Sequence, residues 1–454
     1  MKGVTSDFLS RFKFLSGRTK NILKHIGWSF IFKIGSVVSN FLIVPLTIDY
    51  LNTENYGVWL TISSFVSWFS FFDVGLGHGL RNKFAEAKSV GNDILARAYV
   101  SCAYFTIGIV ALGLMLLFLV VSSFVDWSLV FNTGENLNEV LQTLMLIIFS
   151  FFCIQLVLKL ITSVYLADQN HSINVKIEFL TRILSLFLIW VLLRVDVSSF
   201  LLYGILFSAL PVLILLGLNF FAFSKKYEIY KPTISLFQVK YLKEITGIGL
   251  NFFIIQIGVL VLFSTDNFII TKIFGPSEVV PYNVAQKYFS IVFMSYSILV
   301  APYWSAITEA YAKKEYDWIK NSIGKLQKIW FGVPVVLFIM VIFSNWFYNI
   351  WVGDTINVSM GLSASMALFT LLMTFQAIYV QFLNGISKMR LQLYVSLFSL
   401  VMNIPLSIYF GKTLNWGLSG VMLATCVSLL IACIIYPIQY FKIINNKAKG
   451  LWNK

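Results

Sequence analysis

Charge is scarce in this sequence. Asp, Glu, Lys and Arg make up 12% of its 454 residues, about half the share of a soluble globular protein. Histidine and cysteine are scarcer still. The three histidines, His25, His78 and His171, share no metal-ligand spacing. The four cysteines, Cys102, Cys153, Cys426 and Cys433, lie inside apolar runs at no zinc or redox interval. No DxD, GxSxG or HExxH motif occurs, so no familiar catalytic constellation is present. The chain is not expected to be an enzyme or to need a cofactor or metal.

What it has in excess is apolar surface. Hydrophobic residues make up 58% of the chain and the mean hydropathy is +0.81, more than a water-soluble core can hold. A helix needs roughly 20 mostly apolar residues to cross the hydrocarbon. Such runs lie near 27–49, 56–76, 98–122, 140–166, 175–195, 199–223, 247–271, 282–306, 330–351, 358–384, 391–411 and 417–441. Period-two alternation is absent, which argues against a membrane β-barrel. Helices satisfy their own backbone in lipid. The expected fold class is therefore all-α, polytopic, with about twelve transmembrane helices.

Acids are few: 20 against 34 bases, a net charge of +14. The bases alternate with the apolar runs instead of forming one face, so nucleic acid is not the expected partner. If the N-terminus is inside, Lys2 to Lys24, Arg81, Lys83, Lys225 to Lys243, Lys313 to Lys328 and the C-terminal lysines share one side, and only Arg194, Lys272 and Lys412 face the other. The positive-inside rule then places both termini in the cytoplasm. Residues 1–24 read as an amphipathic leader on the inner leaflet, with no cleavable signal peptide. Two helical lobes, 25–223 and 247–441, flank a polar, basic linker at 224–246, and 442–454 is a basic cytoplasmic tail.

The two lobes carry traces of a repeat. Ile34-Gly35 and Ile257-Gly258 are 223 residues apart, and so are Glu86-Ala87 and Glu309-Ala310. Six spans per half makes the repeat parallel, and transporters commonly place their substrate between such halves.

In "DVGLGHGLRNK", residues 73–83, Gly75, Gly77 and Gly79 alternate ahead of Arg81 and Lys83. A dinucleotide loop needs GxGxxG between a strand and a helix. Here GxGxG follows a membrane span, and no Walker lysine is present. The expectation is a helix end that breaks on glycines at the cytoplasmic surface, with Asp73 contacting the Arg81 segment. The surrounding stretch, residues 45–87, with Tyr56-Gly57-Val58-Trp59, Asp73-Val74-Gly75-Leu76-Gly77 and Leu80-Arg81-Asn82-Lys83, resembles the first hairpin of Wzx-type O-antigen and polysaccharide flippases. These belong to the multidrug, oligosaccharidyl-lipid and polysaccharide exporter superfamily. The resemblance implies two six-helix lobes in a V around a central cavity. It also implies transfer of a polyprenyl-diphosphate-linked oligosaccharide to the periplasmic leaflet of the bacterial inner membrane. The implied partners are that lipid, a polysaccharide polymerase and a chain-length regulator, with the chain expected to work as a monomer.

Charges within spans cost about 2.5–3.5 kcal/mol each at the bilayer centre and mark candidate sites. Lys33, Lys159 and Arg182 lie at similar depth on the cytoplasmic side of the first lobe. They either snorkel to the interface or form a cationic wall for a diphosphate. Glu178 is placed to pair with Arg182 at i,i+4. Asp266 is too short to snorkel. It is expected either to pair with a cation such as Lys287 or to act as a protonatable site coupled to an H+ (or Na+) gradient. Asn40, Gln155 and Gln256 are candidate contacts to sugar hydroxyls, and Arg81 with Lys83 a cytoplasmic gate. Two alternatives remain at this stage: a cation-coupled multidrug antiporter of the same superfamily, for which acids instead of bases are expected in the cavity, and a polysaccharide polymerase, for which a large periplasmic loop is expected.

Overall fold

The computed structural model describes residues 17–69, 76–168, 170, 173–195, 199–300, 303–386 and 388–453. Side chains of 17–31, 247–264 and single positions such as His78 lie outside that description. Asp73 therefore falls outside it, as do most of the leader and the side chain of Gln256. Among the described residues there is helix and no strand. In chain order the helices are α1 (Gly17–Ser67), α2 (Leu76–Ser89), α3 (Asp93–Ser122), α4 (Trp127–Phe131), α5 (Asn138–Leu158) and α6 (Leu160–Ala167). They continue with α7 (Ile173–Leu192), α8 (Phe200–Ser224), α9 (Val239–Phe274), α10 (Val279–Val300), α11 (Tyr303–Ala312) and α12 (Tyr316–Trp330). Last come α13 (Val333–Ile342), α14 (Ser344–Val352), α15 (Met360–Gly385), α16 (Arg390–Ile408) and α17 (Gly417–Ile444).

Eight stretches of the described chain are long and apolar enough to cross a membrane, against the twelve expected. One of them, Phe32–Ser67, holds the first two expected spans, joined at a kink where Asn52 takes φ 67° and ψ 172°. The Asn52 side chain accepts from the Asn55 amide at 3.0 Å, so the second limb starts from its own cap. The runs at 175–195, 247–271 and 282–306 are helical as α7, α9 and α10 but fall outside the eight. In α7 the reason is charge, since Lys176, Glu178 and Arg182 crowd one short helix. Large apolar side chains on these helices, such as Leu116, Leu117, Phe220, Phe338 and Val401, are exposed. That pattern is normal where the solvent is lipid.

Local geometry reproduces the 223-residue repeat. Asn52 (φ 67°) and Gly275 (φ 99°) both leave the usual right-handed space at the end of a first span, and Gly91 (φ 73°) and Lys314 (φ 61°) do so after a second. In the first half the Asn92 amide donates to Ala87 O at 3.0 Å and Gly91 to Lys88 O at 3.1 Å. In the second, Glu315 donates to Ala310 O at 2.8 Å and Lys314 to Tyr311 O at 3.1 Å. These are the same turn built twice. A lysine in the left-handed region costs about 1–2 kcal/mol against roughly 0.5–1 kcal/mol of extra glycine entropy. Lys314→Gly is thus expected to be neutral or slightly stabilising and Lys314→Val destabilising, read as opposite shifts in detergent melting temperature.

The helices form two compact units, and they are not the sequential halves. One takes the chain up to Tyr50, Phe72–Val125 and Val140–Leu250; the other takes Leu51–Phe71, Asp126–Glu139 and Asn251 onward. In the first unit α2 packs on α3 and α6 around Phe84, Tyr99, Val100, Leu160 and Ile161. The segment after α8 is fastened to this core. Tyr227 and Tyr230 are buried, and their hydroxyls donate to Asp168 at 3.0 Å and Asp93 at 2.5 Å. The Thr233 amide donates to Ser101 Oγ at 3.0 Å and the Gln238 amide to Cys102 Sγ at 3.3 Å. Arg97 Nε donates to Lys231 O at 2.8 Å.

Asp168 is the polar hub of this arrangement, with Lys88 and Lys226 Nζ both 2.5 Å from its oxygens. Burial alone would raise its pKa. Hydrogen bonds from Lys226, Lys88 and Tyr227 outweigh that and hold the carboxyl below its ordinary 3.8. Its folded-state pKa being depressed, the group's stabilisation is present above 3.8 and is lost as the pH falls below that value. Both lysines are substantially exposed, so after solvent screening the contribution is about 1 kcal/mol. Asp168→Asn is expected to lower the melting temperature at neutral pH and to flatten the acid limb of its pH dependence.

In the second unit α15 and α17 pack most extensively, with α16 on α17 and α10 on α15. Tyr282, Tyr348, Tyr379, Tyr436 and Phe382 are fully buried there.

Candidate functional site

Two of the predicted charges of the first unit, Lys33 and Glu178, meet at the contact of α1 and α7. The rings of Phe32 and Phe179 lie 5.2 Å apart. Gly35 sits so close to Phe179 that a Cβ would come within 2.4 Å of its ring. That approach brings Lys33 Nζ to both oxygens of Glu178, at 2.9 and 3.0 Å. The expected Glu178–Arg182 pair is not formed. A cation from the facing helix occupies the carboxylate, and the i,i+4 geometry, worth only about 0.2–0.5 kcal/mol, does not compete. Arg182, one turn further along α7, is exposed and has no ion-pair partner among the described residues. Lys159 is exposed too, at the break between α5 and α6, where its amide donates to Gln155 O at 2.9 Å. Asn40 and Gln155 are half-buried. The structure thus joins Lys33 to Glu178, while no described contact joins Arg182 or Lys159 to them.

Of the glycine stretch, Asp73 and Gly75 lie outside the described residues, between the end of α1 and the start of α2. Gly77 and Gly79 lie inside the first turn of α2 and do not break a helix. A Cβ on Gly79 would stand 2.1 Å from Ile245 O, so the residue serves close packing of α2 on the start of α9. Arg81 is half-buried. Lys83 donates to Glu86 at 2.9 Å, and that hydrogen bond raises its pKa above 10.5.

Asp266 on α9 is the most enclosed charge described, 4% exposed. Its Oδ2 accepts from the Tyr282 hydroxyl at 2.5 Å and from Thr425 Oγ1 at 3.3 Å. Thr425 in turn accepts from Asn403 Nδ2 at 2.9 Å. Asp266 Oδ1 and Asn403 Oδ1 are buried without a hydrogen-bond partner among the described residues. The expected pairing with Lys287 is absent; the ammonium instead lies 3.4 Å from the Tyr56 hydroxyl. Beside Asp266, Asn267 donates to Ser64 at 2.8 Å and accepts from Asn283 at 2.9 Å, and Thr61 meets Thr271 at 2.6 Å. An aspartate held by two hydroxyls, with one oxygen unbonded and no cation beside it among the described residues, is suited to accept and release a proton or small cation. Sequence reading missed Tyr282 and Thr425. Asp266 and Tyr282 flank the Gly275 turn almost symmetrically, a hairpin signal that finds the tyrosine. Thr425, 159 residues on, offers none.

Apolar helices in numbers, long enough to cross a membrane, and an internal repeat define a multi-pass membrane protein. The chain matches the MatE family over residues 252–409. It is 21% identical over 413 residues to a Yersinia pseudotuberculosis protein named "Putative O-antigen export protein", covering 88% of this chain and 91% of that one. It is 23% identical over 396 residues to a Salmonella typhimurium "Putative O-antigen transporter", covering 85% and 88%. Among solved structures it is similar to a multidrug resistance MATE family transporter in an inward-facing conformation. The TM-score is 0.75 at 15% identity, over 91% of this chain and 95% of that one. An outward-facing structure of such a transporter gives 0.61 at 15% identity, over 92% and 96%. These likenesses establish the fold.

Proposed function

We propose that the chain flips a polyprenyl-diphosphate-linked oligosaccharide of O-antigen type from the cytoplasmic to the periplasmic leaflet by alternating access, with both termini in the cytoplasm. The observation that carries this reading is the near full-length similarity to two proteins named for O-antigen export. Arg182 and Lys159 support it, as exposed cations on apolar helices without acid partners among the described residues, suited to a diphosphate. Lys33 is matched by Glu178, so the net positive charge rests on Arg182 and Lys159. Asp266 is assigned the coupling role. In a strain lacking the gene, Lys159→Arg is expected to restore surface glycan, and Lys159→Ala to restore less than a tenth of it. A tenfold loss corresponds to about 1.4 kcal/mol of lost interaction. Equal restoration by both removes Lys159 from the transport path.

The similarity in fold to multidrug transporters favours a second reading, cation-coupled drug export. Unchanged glycan with altered drug sensitivity in the same strain supports that reading instead.

A further inference from the structure

We propose that the segment between α8 and α9 is a membrane-surface strap whose outer face binds anionic phospholipid headgroups. The inference does not depend on what the transporter carries. The strap's inner side is committed: Tyr227, Tyr230, the Thr233 amide and the Gln238 amide all bond into the first unit. Its outer side, continued by the first turns of α9, carries Lys225, Lys231, Lys240 and Lys243, all exposed, and Glu228 is the only exposed acid among the described residues of the strap. Lys226 is spent on Asp168. Between the lysines stand apolar side chains with no cover: Ile229 at 58%, Ile234 at 75% and Val239 at 59% exposed. Ile94, in the first turn of α3, is 73% exposed.

Isoleucines left in water are costly, and their alternation with lysines is the composition of an interfacial segment, apolar residues entering the acyl boundary and ammonium groups meeting phosphate. The position fits the lipid. The strap leaves the apolar helix α8 at Ser224 and enters α9 at Val239, so its ends are tied to membrane depth. A cavity of about 450 Å³ lies between the strap and α3, with Ile94, Gln238, Lys240 and Tyr241 in its wall, and leaves room for a headgroup beside Lys240. Glu244 also lines it, but its carboxylate is taken by the Tyr99 hydroxyl at 2.5 Å. A soluble protein partner would have to dislodge the strap from the leaflet its own ends hold it against.

The test is made on the full chain in nanodiscs. Ile234→Cys is labelled with a bimane fluorophore; the four native cysteines are buried and leave the label at one site. Brominated phosphatidylglycerol and brominated phosphatidylcholine are compared as quenchers in otherwise identical mixed bilayers. The proposal expects both to quench, with phosphatidylglycerol enriched about fivefold or more near the label, the attraction of a single lysine for an anionic surface. Replacing Lys225, Lys231, Lys240 and Lys243 by Gln is expected to bring the two quenchers to parity while the protein still elutes as a folded species. Equal quenching on the unmodified lysines overturns the anionic preference. No quenching by either lipid overturns the proposal altogether and leaves the face to water or a protein.

Discussion

Asp266→Asn is expected to remove gradient-driven transport while leaving the protein folded. The substitution keeps the size of the side chain and an oxygen to accept from Tyr282 and Thr425, which hold Oδ2 in the native site. It removes the ability to carry a proton or a cation's counter-charge. A buried carboxylate oxygen with no partner among the described residues costs the fold, so the melting temperature is expected to hold or rise. Linkage between a driving ion and a substrate is typically worth 1–3 kcal/mol, and transport is expected to fall between about 5- and 150-fold. Asp266→Asn should also lose whatever dependence on external pH the native protein shows. Native transport in a stable Asp266→Asn protein would return this aspartate to a purely structural role. Tyr282→Phe supplies the control: it takes one hydroxyl from Oδ2 and leaves the carboxyl, so partial activity with retained pH dependence is expected.

The second large effect is on folding. Gly57 lies in the second limb of α1, and a Cβ built there would come within 1.7 Å of Pro276 O and 2.5 Å of Pro276 C. The neighbour is backbone, fixed by the Gly275 turn and the start of α10, and cannot swing aside as a side chain does. Overpacking of ordinary core sites costs about 1–3 kcal/mol. Gly57→Val is expected to exceed about 4 kcal/mol, the range of exceptional single substitutions, and to yield no monodisperse protein. Gly57→Ala is expected to survive in reduced yield with a clearly lowered melting temperature. A wild-type melting curve for Gly57→Ala would show that this close approach does not exist. Gly57 and Pro276 lie in one compact unit, where Ser64 and Thr61 bond to Asn267 and Thr271.

Much of this was legible beforehand, and the reason is the solvent. A bilayer allows one backbone solution, so apolar length reads out helices directly, and the runs fall on helices throughout the described chain. The 223-residue offset was visible in two dipeptides, and its physical content, left-handed residues at Asn52, Gly91, Gly275 and Lys314, lies in the turns between helices. Side-chain partnerships were not legible. Glu178 chooses Lys33 over Arg182 because Gly35 lets α7 close on α1, a fact of tertiary approach. Asp266 takes hydroxyls from Tyr282 and Thr425 while Lys287 turns to Tyr56, because hairpin pairing and the distant α17 decide who is near. The packing role of Gly79 against Ile245 was not legible, since glycine's small volume and its flexibility leave the same mark in a sequence.

The most direct test of the central claim is to delete the gene in its host and extract both the polyprenyl-linked intermediates and the surface polysaccharide. Flippase function predicts that complete lipid-linked repeat units accumulate and that none reaches the surface, with restoration by the intact gene. Single repeat units still arriving at the surface without polymer would identify a polymerase and contradict the account, and normal glycans with altered drug sensitivity would place the chain among the multidrug antiporters.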